Sequence, residues 1–105
     1  MLHAGRIRHT VVFRLSHAGG SEDEAGFLAA AADLAAIPGV EEFQSLDEVS
    51  PKNDYRFGIS MEFADQGAYD AYNAHPDHVA FVEGRWEPEV EEFLEIDYRA
   101  GDGAP

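Results

Sequence analysis

Two stretches of this chain alternate strictly with a period of two. In RIRHTVVFRL, Ile7, His9, Val11, Phe13 and Leu15 fall on one side and Arg8, Thr10, Val12 and Arg14 on the other. In YRFGISMEFA, Tyr55, Phe57, Ile59, Met61 and Phe63 alternate against Arg56, Gly58, Ser60 and Glu62. Successive side chains of a strand point to opposite faces, so each stretch predicts a strand with one apolar side. An apolar sheet face must be covered by another layer, and the residues between and after these strands supply it.

After the first strand, SHAGG breaks the pattern and SEDE follows, with Ser21 and Glu24 at capping-box spacing ahead of the alanine-rich AGFLAAAADLAAI. Phe27, Ala31, Leu34 and Ala35 recur at helical spacing and predict one apolar helix side lying on the sheet. Pro38 cannot continue the helix, and Gly39 accommodates a left-handed turn. VEEFQSLDEV has moderate strand character; SPKND supplies turn chemistry between it and YRFGISMEFA, so the two predict a hairpin. DQGAYDAYNA predicts a short helix. HPDHVAFVEGRW predicts a second, with Pro76 at its first position and His75 as its cap. EEFLEIDYR predicts a last strand, and AGDGAP a frayed tail.

The order is β-α-β-β-α-β with an extra helical turn before the last strand, an α+β, ferredoxin-like protomer. At 105 residues the chain suits a single domain, read as 1–105 with a core of about 7–99. Helices cover one sheet face only. The other carries Val12 and, on the last strand, Leu94, Ile96 and Tyr98, which predicts a homodimer closed through the open sheet face.

Composition narrows the partners. The formal charge is −14, from 21 acidic and 7 basic residues, and such a surface repels a phosphate backbone or an anionic membrane, so neither nucleic acid nor membrane is expected as a partner. With no cysteine, thiolate nucleophiles and cysteine-based zinc sites are excluded. No run approaches the roughly 18 apolar residues of a membrane helix, and the amino-terminal residues lack the pattern of a secretory leader, so the expectation is a soluble cytoplasmic protein.

RHTVVFRL, IPGV, SP ahead of YRFGISMEF, AYNAHPDHVAFV and EIDY together resemble the stress-responsive dimeric α/β-barrel (Dabb) family, over about Arg8 to Tyr98. The resemblance implies a ferredoxin-like protomer whose sheet pairs with that of a second protomer in a dimeric α/β barrel. It also implies a mixed membership of stress-associated proteins without known activity and a plant polyketide cyclase branch. In that branch a tyrosine and a histidine act as acid and base between helices and sheet. The matching positions are Tyr72 and His78, with His9 and Asp97 in support.

Elementary chemistry gives those residues a separate rationale. His78 falls in the first turn of its helix, where the positive end of the backbone dipole favours a neutral imidazole. Asp97 can hold one ring nitrogen of His78 and raise its basicity, an opposing effect. Tyr72 can donate to a developing enolate oxygen, giving cofactor-free proton abstraction beside a carbonyl as the enzyme reading. Candidate pocket-lining residues are Val11, Phe13, Phe27, Phe81, Val82, Val90 and Phe93, suited to a small apolar or aromatic ligand.

The same residues have plain structural readings: His78 satisfied by Asp97 in a core, His9 a buried strand histidine, Tyr72 a core aromatic, and Trp86 and Phe81 as packing. His75 and His78 are three apart with Asp77 between, but no strong metal signature accompanies them, so neither a metal nor any other cofactor is expected. Phosphate-binding loops and serine-hydrolase elbows are also missing from the sequence. The reading preferred is a stress-responsive barrel protein with a possible small-molecule pocket and no established catalysis. The alternative is a cofactor-independent enzyme with a Tyr/His pair, and a third possibility is an accessory domain acting through assembly.

Overall fold

The computed structural model of the protein describes residues 2–101. The alternating first stretch forms strand β1 (Ile7–Leu15), whose odd-numbered side chains are buried while the even-numbered ones are partly exposed. Helix α1 (Glu22–Ala32) comes next, and the expected capping box forms with one change. Ser21 Oγ accepts from Glu24 N–H at 3.2 Å, but the Glu24 carboxylate reaches back one residue further, to Gly20 N–H at 3.0 Å. The helix then tightens to a 3₁₀ turn over Asp33–Ala36. Three residues per turn instead of 3.6 rotates the later positions, so Leu34 and Ile37 are buried and Ala35, expected on the apolar side, is exposed.

Strand β2 (Glu41–Asp47) pairs with β3 (Phe57–Phe63) in the predicted hairpin. Its pairing shifts register between Glu41 and Gln44, where Glu42 adopts a left-handed φ of 51°, the mark of a bulge on an edge strand. Helix α2 (Gln66–Ala74) is capped by Asp65 Oδ1, which accepts from Ala68 N–H at 2.8 Å. Helix α3 (Pro76–Phe81) starts as expected, with Pro76 in its first turn and His75 Nδ1 accepting from Asp77 N–H at 3.1 Å. The expected continuous helix to Trp86 is broken: Val82–Trp86 form one wide π-helical turn, and α4 (Glu87–Glu89) is a final short turn before β4 (Val90–Arg99).

The four strands run antiparallel in the order β2-β3-β1-β4, the ferredoxin-like arrangement predicted from the element order. The register of β1 with β4 decides which side chains share a face. Phe13 stands opposite Phe93, Val11 opposite Glu95 and His9 opposite Asp97, so these three β4 residues project to the helix side. Val12 faces Leu94, Thr10 faces Ile96 and Arg8 faces Tyr98 on the open side.

Between helices and sheet lies the core, built from Val11, Phe13, Phe27, Ala31, Leu34, Phe57, Ile59, Met61 and Phe63 with others. Phe13, Phe27 and Phe63 have no exposed surface. On the uncovered side Leu94, Ile96 and Tyr98 are 49%, 39% and 51% exposed, and Leu46, in the same row beyond Val12 and Gly58, is 46% exposed. No helix among the described residues is long and apolar enough to cross a membrane. The frayed tail expected over 100–105 lies mostly outside the described residues.

Candidate functional site

The interlayer is not uniformly filled. At the end of β1 nearer its start, a cavity of about 60 Å³ opens between β1, β3, β4 and the helices. Val11, Leu34, Ile59, Met61, Phe81 and Trp86 make its apolar wall, and His9, Tyr72, His78 and Glu95 bring polar groups to it. Glu95 is the one exposed residue of this lining and so marks the mouth. The volume is well below the few hundred cubic ångströms of a pocket for a drug-sized molecule and admits a ligand of only a few heavy atoms.

The register of β1 and β4 sets the chemistry of one wall. His9 Nδ1 lies 2.6 Å from Asp97 Oδ1, the short distance of a charge-assisted hydrogen bond. The Tyr69 hydroxyl donates to Asp97 Oδ2 at 2.8 Å, lies 3.0 Å from His9 Nδ1 and has a longer contact of 3.3 Å to Glu95 Oε1. Because the carboxylate only accepts, the hydrogen of His9 sits on Nδ1, and a neutral His9 keeps its lone pair on Nε2. Burial, reinforced by the hydrogen bond and charge of Asp97 and the charge of Glu95, holds the Tyr69 hydroxyl well above the usual phenol range.

Helices α2 and α3 supply the facing wall. Tyr69 and Tyr72 are three apart on α2 and therefore share its inner side. The break at Pro76 turns α3 so that the His78 ring packs on Tyr72 with centroids 4.4 Å apart. His78 Nδ1 donates to the Asn73 carbonyl at 3.1 Å, since that oxygen can only accept; the His78 lone pair is thus also on Nε2. Burial pushes the His78 pKa below its ordinary value, a shift opposed by the Asn73 hydrogen bond and reinforced by His9. Burial, and then the charge of Glu95, raises Tyr72 above the phenol range.

Of the catalytic candidates read from the sequence, His9, Tyr72 and His78 meet at the cavity, while Asp97 stands behind His9 and does not hold His78. The strand register puts Asp97 directly across from His9, and the carbonyl of Asn73 has taken its expected place at His78. Val11 and Phe81 line the cavity as expected. Phe13 and Phe27 instead fill the adjoining core in tilted contact at 5.7 Å, and Val82 and Val90 lie outside the lining. Phe93 is 51% exposed, with Trp86 against it edge-on at 5.4 Å. Tyr69 and Glu95 were missed. Their signals were the i, i+3 pair Tyr69/Tyr72 and the i, i+2 pair Glu95/Asp97, which place each partner on the same side of its element.

A metal ion has one plausible set of ligands among the described residues, His9, Glu95 and Asp97, whose donor atoms lie within 4.8 Å of one another. The His9–Asp97 hydrogen bond already engages two of those residues, so a cation between them would have to displace a shared proton. His75, engaged as a helix cap, is not part of the set.

A split βαβ sheet with helices on one face and a tyrosine- and histidine-lined hollow beneath them defines a ferredoxin-like α/β-barrel protomer. The sequence model of the stress responsive A/B barrel domain (Dabb) matches residues 7–100, and the chain belongs to that family. A Dabb family protein with a ferredoxin-like fold from Mesorhizobium loti is 62% identical, with a TM-score of 0.90 over 92% of this chain and 98% of that one. A dimeric ferredoxin-like protein of unknown function from Thermobifida fusca superposes with a TM-score of 0.77 at 20% identity, over 95% of each chain. Hydroxynitrile lyase from Passiflora edulis has the same fold, with a TM-score of 0.84 at 16% identity over 98% of this chain and all of that one. No curated protein matches the chain.

Proposed function

We propose that this stress-responsive barrel protein is a homodimer that binds a small molecule in the cavity beside His78, within one domain spanning the whole chain. The observation that carries the binding reading is the meeting of His9, Tyr72, His78 and Glu95, drawn from separate elements of the fold, at a single hollow in an otherwise aromatic and aliphatic interior. His9 and His78 each have one ring nitrogen engaged, by Asp97 and by the Asn73 carbonyl, and convergent polar groups around an apolar-walled void are the usual make-up of a small-molecule site. A screen of few-atom fragments, read by NMR shifts of His78, Tyr72 and Trp86, tests the site. Shifts that vanish in His78→Ala and Tyr72→Phe support it; fragments that shift only residues remote from the cavity refute it.

The dimer is supported by the exposed Leu46, Leu94, Ile96 and Tyr98 on the open sheet side, with half-buried Val12 among them, and by the dimeric description of similar folds. Leu94→Glu places an unpaired charge in that strip and is expected to yield monomers in sedimentation analysis with the helical signal retained. A dimer unaffected by Leu94→Glu rules out this face.

A second reading, cofactor-independent proton transfer, is favoured by one specific arrangement. His9 is aligned by Asp97 at 2.6 Å, and its ring shares the cavity with Tyr72 and His78, an arrangement suited to an oriented base. Loss of solvent exchange at an acidic C–H of a bound ligand in both His9→Gln and His78→Gln is its test.

A further inference from the structure

The charges around the cavity restrict what it can hold. Among the described residues, no lysine or arginine lines it, and the only lining side chain with a full formal charge at neutral pH in every protonation state of His9 is Glu95. Asp97 lies immediately behind, sharing Tyr69 with Glu95. If His9 is neutral, both carboxylates leave the site net negative; if His9 carries a proton, its charge cancels that of Asp97 and the charge of Glu95 remains. The sign is the same either way. The Nδ1–H of His78 is consumed by the Asn73 carbonyl, so its Nε2 offers a lone pair to the cavity, and the Tyr72 hydroxyl can either accept or donate.

Aromatic rings form the rest of the lining at the helix side: Tyr72, Phe81 and Trp86. The negative face of an aromatic ring attracts a cation, most strongly for tryptophan. Around the site the whole chain, at −14, adds a field of the same sign. A carboxylate, phosphate or other anion entering here meets a net negative charge that no lysine or arginine of the lining offsets.

The geometry points to a small organic ammonium ion as the ligand of this cavity, its N–H groups donating to Glu95 and to histidine nitrogen and its alkyl part lying against Tyr72, Phe81 and Trp86. This rests on the reading of the cavity as a binding site and adds to it the ligand's charge and size. At about 60 Å³ the space is about four times what a single water requires, which suits roughly four heavy atoms.

Trp86 is the only tryptophan of the chain and lines the cavity, so its fluorescence reports occupancy directly in the full-length protein. Three probes of about four heavy atoms each separate charge from size: propylammonium, 1-propanol and acetate, titrated at constant ionic strength. The expected order of affinity is propylammonium, then propanol, then acetate, with at least about tenfold between first and last. Glu95→Gln is expected to bring propylammonium to the level of propanol while leaving propanol unchanged. Acetate binding as tightly as propylammonium, or an order unaltered by Glu95→Gln, overturns the inference. If propanol perturbs Trp86 and propylammonium does not, the cavity reading stands and the charge inference falls; if none of the three perturbs it, both fall.

Discussion

His9 and Phe13 sit four residues apart on the same side of the same strand, yet they belong to opposite kinds of interior. Around Phe13 the rings of Phe27, Phe57 and Trp86 close at centroid distances of 5.7, 5.8 and 5.0 Å, with nothing polar between them. Around His9 the neighbours are Asp97, Tyr69 and Tyr72, and beside them a void remains. One end is close-packed in the way that makes cores stable; the other keeps polar groups that hydrophobic packing does not require and space that packing would normally fill. The contrast teaches that stability and ligand chemistry in this fold are concentrated at different ends of one layer, with Trp86, packed on Phe13 and lining the cavity, as the side chain the two ends share.

The largest effect should come from the packed end. Phe13→Ala removes a side chain with no exposed surface and is expected to cost about 3–5 kcal/mol in denaturant unfolding. A loss below about 1 kcal/mol would show that the aromatic cluster is loosely packed and would erase the distinction between the two ends. At the polar end, Tyr69→Phe deletes a donor to Asp97 and is expected to cost about 1–2 kcal/mol. It should also shift the His9 ring resonances seen by NMR, because the Tyr69 hydroxyl lies 3.0 Å from His9 Nδ1.

Smaller still is the effect of pH. The native pKa of His78 lies below its unfolded value of 6.5, so over the window between the two the unfolded chain binds more protons than the native one. Stability from this group is therefore complete above about pH 6.5 and declines as pH falls toward the native pKa. Substituting His78→Gln should flatten that part of the pH profile, and the NMR midpoint of His78 should fall below that of an exposed histidine. At the alkaline side the sign reverses. Tyr69 and Tyr72 stay protonated in the native state above the ordinary phenol pKa of 10.0, so stability should decline as pH rises beyond that value and the unfolded chain ionises first. A spectroscopic titration in which both tyrosines ionise near the ordinary phenol value without unfolding would show that they are not buried as described.

Much of this architecture was legible because its signals are local. Alternation over Ile7–Leu15 and Phe57–Phe63, the Ser21 cap and the proline at position 76 each act within a few residues, and the strands and helices form where those signals stand. The local signals failed where geometry changes inside an element. The tightening at Asp33–Ala36 moved Ala35 outward, and the π-helical turn over Val82–Trp86 set Trp86 against Phe13 rather than continuing the helix. At the site, His9, Tyr72 and His78 could be singled out by residue type, but Tyr69 and Glu95 looked like ordinary helix and edge-strand residues until their neighbours were known.

The sequence by itself determined the order of elements, which side of β1 and β3 turns inward, and the acidic character of the surface. These depend on side-chain periodicity, backbone-breaking residues and composition, none of which requires distant contacts. Only the tertiary structure decided that Asp97 serves His9 and not His78, that Tyr69 joins them, and that the hollow beside them is small and bordered by negative charge. Those outcomes depend on the pairing register of β1 with β4 across 88 residues of chain and on how α2 and α3 settle over the sheet, and a shift of one residue in that register would have turned Asp97 to the opposite face.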